Sequence, residues 1–387
     1  MAAQAREYHW DFARALYLLL GIPFHAAVVY STHHVWPVSS PEPSPVLTFL
    51  ADMLHTFRMP GFFILAGYFA MMMIGRKGPG PWLASRFIRL GVPLVAASLT
   101  ILPFQIVVST YSETVTGAIS PTSFLPRLVF RLTHFDEPWI SHLWFLYALI
   151  SCSAALAFLV RVCGLRQFRW TVARLGDFAV GEKWLSFSVL AFVAAVIAWT
   201  LPHFHALGGR GTEALVNYNQ YAVYFAFGVV LYLSGEVKAA YGQVGRAGLA
   251  VALVVAAATL VSPQTVWSHA LILISGVVAA LAITGFVARE AARRFGRPNR
   301  HVKRVVDASF TIYLFHHPVI FVLALVFAGI DWPPVLEFAL IVPAAAIVSY
   351  LIHLGIAKSP LLLFLFNGVE RPRPAKTDGI EALPARL

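Results

Sequence analysis

The sequence predicts an all-α polytopic membrane protein of about ten transmembrane helices, with both termini in the cytoplasm. Three observations carry this. Of 387 residues, 59% are hydrophobic and only 12% charged, with a mean hydropathy of +0.73. Soluble domains carry about twice that charged fraction. Apolar runs long enough to cross about 30 Å of hydrocarbon recur along the whole chain, and basic residues concentrate on alternate loops. The runs do not alternate in segments of about ten residues, as the strands of a membrane barrel would.

Ten spans are read over 11–30, 47–74, 83–110, 139–160, 185–202, 216–235, 247–263, 269–288, 307–329 and 335–357. The first carries Arg14 and has no small-residue cleavage site after it, so it reads as a span and not as a leader. The seventh and eighth are separated only by Ser262-Pro263-Gln264. Loops expected inside hold Arg76 and Lys77, Arg161 to Arg174, Lys238 and Arg246, and a dense run from Arg289 to Arg304. Loops expected outside hold only Arg127, Arg131 and Arg210, which fixes the orientation. The formal charge of +11 therefore reflects topology and contact with anionic lipid, and excludes a nucleic-acid footprint. Trp36, Trp139, Trp144, Trp199, Trp267 and Trp332 fall near span ends, as interface anchors do. Residues 1–360 read as one transmembrane domain and 361–387 as a loose cytoplasmic tail. Two cysteines, Cys152 and Cys163, argue against a disulfide framework or a structural zinc site.

Ionisable residues inside the spans carry the functional signal, because in lipid they face the protein interior and mark substrate paths. Arg14 and His25 are eleven residues apart, almost three whole turns, so they share one helix face about 16 Å apart along the axis. Asp52, His55 and Arg58 are spaced by three on the second span and share a face. His55 comes to a depth similar to His25. Asp136, Glu137 and His142 open the fourth span at the outer surface. Near the cytoplasm Arg86 and Arg89 stand one turn apart on the third span, beside Asp11 and Arg14. Paired guanidinium forks suit phosphate oxygens, although such a pair also serves as a positive-inside anchor. A donor with phosphates at one end and a reactive group roughly 15–20 Å away would stretch from Arg14, Arg86 and Arg89 to His25. Acyl-coenzyme A has that shape. His33, His34, His203, His205 and His269 read as solvated loop or interface residues, and no H-E-x-x-H or paired-Cys spacing calls for a metal.

Five motifs then resemble one family. Arg14 and His25 are similar to the R-x10-H signature of the membrane acyltransferase-3 family, and Arg86-Phe-Ile-Arg89 to its R-x-x-R pair. His142-Leu-Trp144-Phe-Leu146 and Ser309-Phe-Thr-Ile-Tyr-Leu-Phe-His316 resemble its later signatures. Phe62-Phe63-Ile-Leu-Ala-Gly67-Tyr-Phe69 resembles its FFxxSGxF stretch, with Ala66 where Ser is usual. Within the family, the opening REYHWDFARALYLLLGIPFH and the SHLWFL and SFTIYLFHHP segments resemble members that succinylate osmoregulated periplasmic glucans. The resemblance implies transfer of succinyl groups from cytoplasmic succinyl-CoA to glucan hydroxyls across the bacterial inner membrane, beside the glucan synthesis proteins, with no metal. It gives His25 the role of general base, and Arg14, Arg86 and Arg89 that of donor binding.

Depth and spacing add Asp52 as the carboxylate that orients His25, and His55, His142, Trp144 and His316 as acceptor contacts or supports. Arg58 is placed to pair the free carboxylate of a succinyl group, or else Asp52 or a backbone carbonyl. Acetyl transfer to another surface polysaccharide is the first alternative. A transporter is the second, although the polar signatures have no mirrored copy in the other half of the chain.

Overall fold

The computed structural model describes residues 8–34, 36–135, 137–181, 221–261 and 266–369, with backbone alone at 137 and 266–274. Among the described residues there are helices and no strands. Seven are long and apolar enough to cross a membrane: Tyr8–Val28, Pro45–Lys77, Pro79–Val115, Ser141–Cys163, Ser275–Arg294, Arg300–Phe327 and Pro334–Ile356. The all-α polytopic fold is therefore as expected.

The span count differs in detail. The expected span at 185–202, with Trp199, His203, His205 and Arg210, lies outside the described residues. So do the turn at 262–265 and the side chains of Trp267 and His269. The expected span at 216–235 is a helix over Ala222–Leu233 followed, after a bend of 112°, by Gly235–Tyr241. Ser234 makes that bend. Its backbone is extended and its Oγ accepts from the Val237 N–H at 3.1 Å, so it stops one helix and caps the next. The expected span at 247–263 is a helix of 16 residues, Arg246–Val261.

The first span is two segments, α1 (Tyr8–Leu19) and α2 (Gly21–Val28). Pro23 causes the interruption, since it has no N–H to return to Leu19. The flanking bonds Leu20 N to Leu16 O, 2.9 Å, and Phe24 N to Leu20 O, 3.2 Å, carry the helix through. Next come α3 (Pro45–Lys77), α4 (Pro79–Arg86) and α5 (Val92–Val115). The last two are joined by a π-helical turn over Phe87–Gly91. α6 (Phe124–Thr133), α7 (Trp144–Cys163) and α8 (Leu165–Gly181) follow, then α9 (Ala222–Leu233) and α10 (Gly235–Tyr241). α11 (Arg246–Val261), α12 (Val266–Arg294), α13 (Arg300–Phe327) and α14 (Pro334–Ile356) complete the bundle.

α3 is the axis of the bundle, with α1, α2, α9 and α12 packed around it. Most of its middle is buried, from Arg58 to Met71. Its contact with α9 is backbone to backbone. A Cβ built on Gly67 would lie 1.9 Å from the Phe225 carbonyl oxygen, and one on Gly228 would lie 1.9 Å from that of Ile64. Small residues permit such an approach between helices in lipid, where dispersion replaces the hydrophobic effect as the driving force. The close approach falls at Gly67; its neighbour Ala66, standing in for the usual Ser, lines a cavity instead.

The segment after residue 360 is not loose where it is described. α15 (Pro360–Asn367) packs on α5, with Asn367 buried. It ends at Gly368 in the left-handed conformation, φ +60°, where a Cβ would come within 2.6 Å of the Arg89 backbone. Only glycine fits there, on both counts. Cys152 is buried and Cys163 exposed, both as free thiols.

Gly67→Val should place a branched side chain against the Phe225 backbone and destabilise the protein by about 3 kcal/mol or abolish folding. Gly276→Ala, in open space, should be neutral or slightly stabilising. Thermal unfolding of the two variants in detergent checks the difference.

Candidate active site

Three of the predicted arginines meet in one cavity. Arg14, Arg86 and Arg89 line a space of about 480 Å³ between α1, α3, α7, α13 and the π-helical turn, closed by α15. Arg14 pairs with Asp11 at 3.6 Å and lies over the Phe69 ring. Among the described residues no carboxylate stands within ion-pair distance of Arg86 or Arg89, and the buried Nε of Arg86 has no hydrogen-bond partner. The π-helical turn explains how both reach the cavity. The extra residue it inserts rotates the helix face between them, and such bulges recur at functional sites. Asp307, Ser309, His353 and Asn367 complete the polar lining. Asp307 is offset by Lys303 at 2.7 Å. His353 and Asn367 both reach the Thr311 hydroxyl, at 3.2 and 3.4 Å.

The histidines form a second group further along the same helices. His25, His142, His316 and His317 are all buried. Ring centroids lie 4.8 Å apart for His25 and His317, 5.3 Å for His25 and His316, and 4.4 Å for the stacked pair His142 and His317. Trp36 stacks on His25 at 5.0 Å and meets His317 edge-on. It therefore covers the histidines from the loop between α2 and α3.

Hydrogen bonds assign the ring protons. The Leu314 carbonyl can only accept, so His142 Nε2 donates to it at 3.1 Å. The Gln105 amide nitrogen can only donate, to His317 Nδ1 at 2.8 Å and more weakly to His142 Nδ1 at 3.5 Å. Ser141 Oγ donates to Gln105 Oε1 at 3.2 Å and fixes the amide orientation. One glutamine thus sets two imidazoles in the same tautomer. His316 is the reverse. Its Nδ1 donates to the Tyr313 carbonyl at 2.7 Å, which leaves a lone pair on Nε2. That atom and His25 Nδ1 are both enclosed and without hydrogen-bond partners.

A seam of packed side chains runs between the two groups. Along the first span Arg14, Leu18, Gly21 and His25 follow every third or fourth residue, as do Arg58, Phe62, Ala66 and Phe69 on α3. Val306, Phe310, Tyr313 and His316 do so on α13. Each stripe begins or ends in the cavity lining. Tyr313 bridges them: its ring meets those of Phe145 and Phe310 on the cavity side and of His142 and His316 on the other. Its hydroxyl donates to the His142 carbonyl.

Arg58 lies at the junction. It is 5% exposed, and its guanidinium covers the Phe24 ring at 4.3 Å. One of its terminal nitrogens and His316 Nε2 both face Gly21, where a Cβ would meet them at 3.2 and 3.1 Å. Its Nε has no hydrogen-bond partner, and no carboxylate pairs with it among the described residues.

Asp52 is not where the sequence put it. Its Oδ1 pairs with His34 Nε2 at 2.7 Å and His33 Nε2 at 3.4 Å. It sits nearly two turns of α3 before Arg58, toward the start of the helix, so it orients the loop before α3 and not His25. His33 and His34 lie on a loop, exposed and part-exposed as expected, and both reach Asp52. This contact removes Asp52 as the partner of Arg58. His55 meets the Tyr221 hydroxyl at 3.4 Å and stacks on Phe24 at 5.6 Å. Trp144 stacks on Tyr221 at 5.3 Å and lies parallel to Phe63. Asp136 and the side chain of Glu137 lie outside the described residues. Gln105 escaped the sequence reading. Its signal was a lone amide in the apolar run ILPFQIVV, a residue type that lipid tolerates only with partners.

A basic cavity and a buried histidine group share the same helices of a polytopic helical fold, an arrangement suited to a membrane-embedded transferase. Residues 7–354 match the family described as an acyltransferase domain, and the chain belongs to that family. It is similar to the glucans biosynthesis protein C of Escherichia coli (strain 536) and of Shigella dysenteriae serotype 1. Each is 30% identical over 396 residues, covering 98% of this chain and of the relative. The protein of that name from Salmonella schwarzengrund is 30% identical over 382 residues, covering 94% and 95%. No solved structure matches the chain.

Gln105→Leu should free the His317 imidazole to change tautomer and lower acyl transfer at least tenfold per folded molecule. Rate measurements on protein matched for detergent-stable yield check this.

Proposed function

We propose that this chain transfers succinyl groups from cytoplasmic succinyl-CoA to hydroxyls of osmoregulated periplasmic glucans, across the bacterial inner membrane. The observation that carries the reading is the seam. Three arginines gather at one end of it, and a buried histidine group stands at the other. The nucleotide phosphates of the donor would lie against Arg14, Arg86 and Arg89, where guanidinium forks match phosphate oxygens. The pantetheine arm would follow the stripe past Leu18, Phe62 and Phe145. Both termini, and the basic cavity with them, then face the cytoplasm, in keeping with the positive-inside loops.

At the far end His25 acts as general base. The imidazole takes the proton as the glucan oxygen attacks the thioester carbonyl. The carbon–sulfur bond breaks, and the proton passes to the departing thiolate. Because no carboxylate contacts His25 among the described residues, its ring is held by stacking on Trp36 and by His316 and His317. His142, Trp144 and His55 lie on the side from which a periplasmic acceptor would enter, and His316 Nε2 offers it an acceptor atom.

Arg58 supports the succinyl group over an acetyl group. A buried cation without an acid partner is costly, and a ligand carboxylate relieves that cost. The names of the relatives support a glucan as the acceptor.

Two variants test the donor end and the acyl group separately. Arg86→Ala combined with Arg89→Ala should raise the KM for succinyl-CoA at least tenfold, with kcat changed less. An unchanged KM would reduce the pair to topology anchors. Arg58→Met should lower succinyl transfer at least tenfold while leaving or improving acetyl transfer. Equal loss with both donors would remove the carboxylate role.

A further inference from the structure

Outside the seam, the structure gathers another set of ligating side chains at the outer end of α3. His33 and His34 sit on a tight loop whose backbone N–H groups both donate to Ser31 Oγ, at 3.2 and 2.9 Å. The Thr32 N–H donates to Thr48 Oγ1 at 3.0 Å and ties this loop to the start of α3. From the helix, Asp52 turns one oxygen toward both imidazoles: His34 Nε2 at 2.7 Å and His33 Nε2 at 3.4 Å. One donor atom from each of the three residues lies within 4.8 Å of the others.

We propose that His33, His34 and Asp52 bind one divalent transition-metal ion, with zinc as the reference case and water completing the shell. The spacing fits. Nitrogen and oxygen ligands about 2.0–2.1 Å from a tetrahedral zinc stand about 3.3 Å from one another. The His33 to Asp52 separation of 3.4 Å already has that value. His34 needs to open by about 0.6 Å to reach it, within the freedom of a half-exposed ring. Two imidazoles and a carboxylate form a donor set that suits zinc, copper or nickel over magnesium or calcium.

A hydrogen-bonded ion pair accounts for one imidazole on one carboxylate oxygen. It does not call for a second, with the ring centroids only 4.3 Å apart. An ion shared by all three does. Side-chain exposures of 55%, 34% and 17% for His33, His34 and Asp52 leave room for an ion to enter and keep a water. The ion would clip the outer loop to α3. Because that loop carries Trp36 onto His25, metal binding would hold that ring over the histidine group.

The test uses the full-length, tag-free protein in detergent, stripped with chelator and titrated with zinc chloride. Binding is read by calorimetry and by zinc content per chain, with loop protection read by limited proteolysis. Wild type should take one zinc per chain, and zinc should slow cleavage of the loop over residues 31–44. Asp52→Asn, and His33→Ala with His34→Ala, should each weaken binding at least tenfold and lose the protection. His301→Ala, an exposed histidine elsewhere, should bind as wild type. Absence of zinc uptake by wild type would overturn the proposal and leave an ion pair only. Undiminished binding in the two loop variants, or equal loss in His301→Ala, would also overturn it.

Discussion

An arginine buried without a carboxylate is the constraint on which the rest of this structure turns. Arg58 stands in the middle of the most enclosed helix, its charge met by the face of Phe24 and by nothing acidic among the described residues. In an apolar bundle such a group is costly, and the neighbouring atoms do not relieve it. His316 Nε2 and His25 Nδ1, both enclosed, also lack hydrogen-bond partners. Arg58 and His316 both crowd Gly21, and His25 follows it by one turn of the same segment. The packing must then be strong enough elsewhere to hold them in place. The backbone contact at Gly67 and Gly228, and the aromatic layer of Phe62, Phe63, Phe145 and Tyr221, supply that rigidity.

The same economy shapes the ends of the seam. Local departures from regular helix fall where polar groups must be aimed. Pro23 opens the first span two residues before His25. The π-helical turn over Phe87–Gly91 follows Arg86 directly and contains Arg89, and the left-handed Gly368 seats the last described helix on that turn. Gln105 aims two imidazoles with one amide. These devices bring the basic cavity and the histidines onto three parallel helix stripes. Between the two lie aromatic and aliphatic side chains, among them Leu18, Phe62, Phe145 and Tyr313.

Much of this was legible in the sequence, for physical reasons. Hydropathy and the distribution of basic residues suffice for a helical membrane fold. The eleven-residue spacing of Arg14 and His25 puts them on one face whatever the rest of the chain does. The pairing of Arg86 with Arg89 was equally local. Contacts between distant segments were not legible. The depth of Asp52 along α3 resembled that of His25, but depth alone does not say which neighbour a side chain faces, and the loop histidines claimed it. Trp36 marks a span end in the sequence, but its contact with His25 is set by the fold of the loop. His353 and Asn367 reach the cavity from the last helices, far from every motif. The bend at Ser234 was missed although Ser234, Gly235 and Glu236 follow an apolar run, because its angle is set by the cap geometry.

The central proposal is that His25 performs acyl transfer to a glucan at the far end of the seam from Arg14, Arg86 and Arg89. Mass spectrometry of periplasmic glucans tests it most directly. Cells lacking this protein would be complemented with wild type or with His25→Ala at matched membrane levels. The account predicts glucans heavier by whole succinyl units with wild type and unmodified glucans with His25→Ala. Equal succinylation by the two would contradict it.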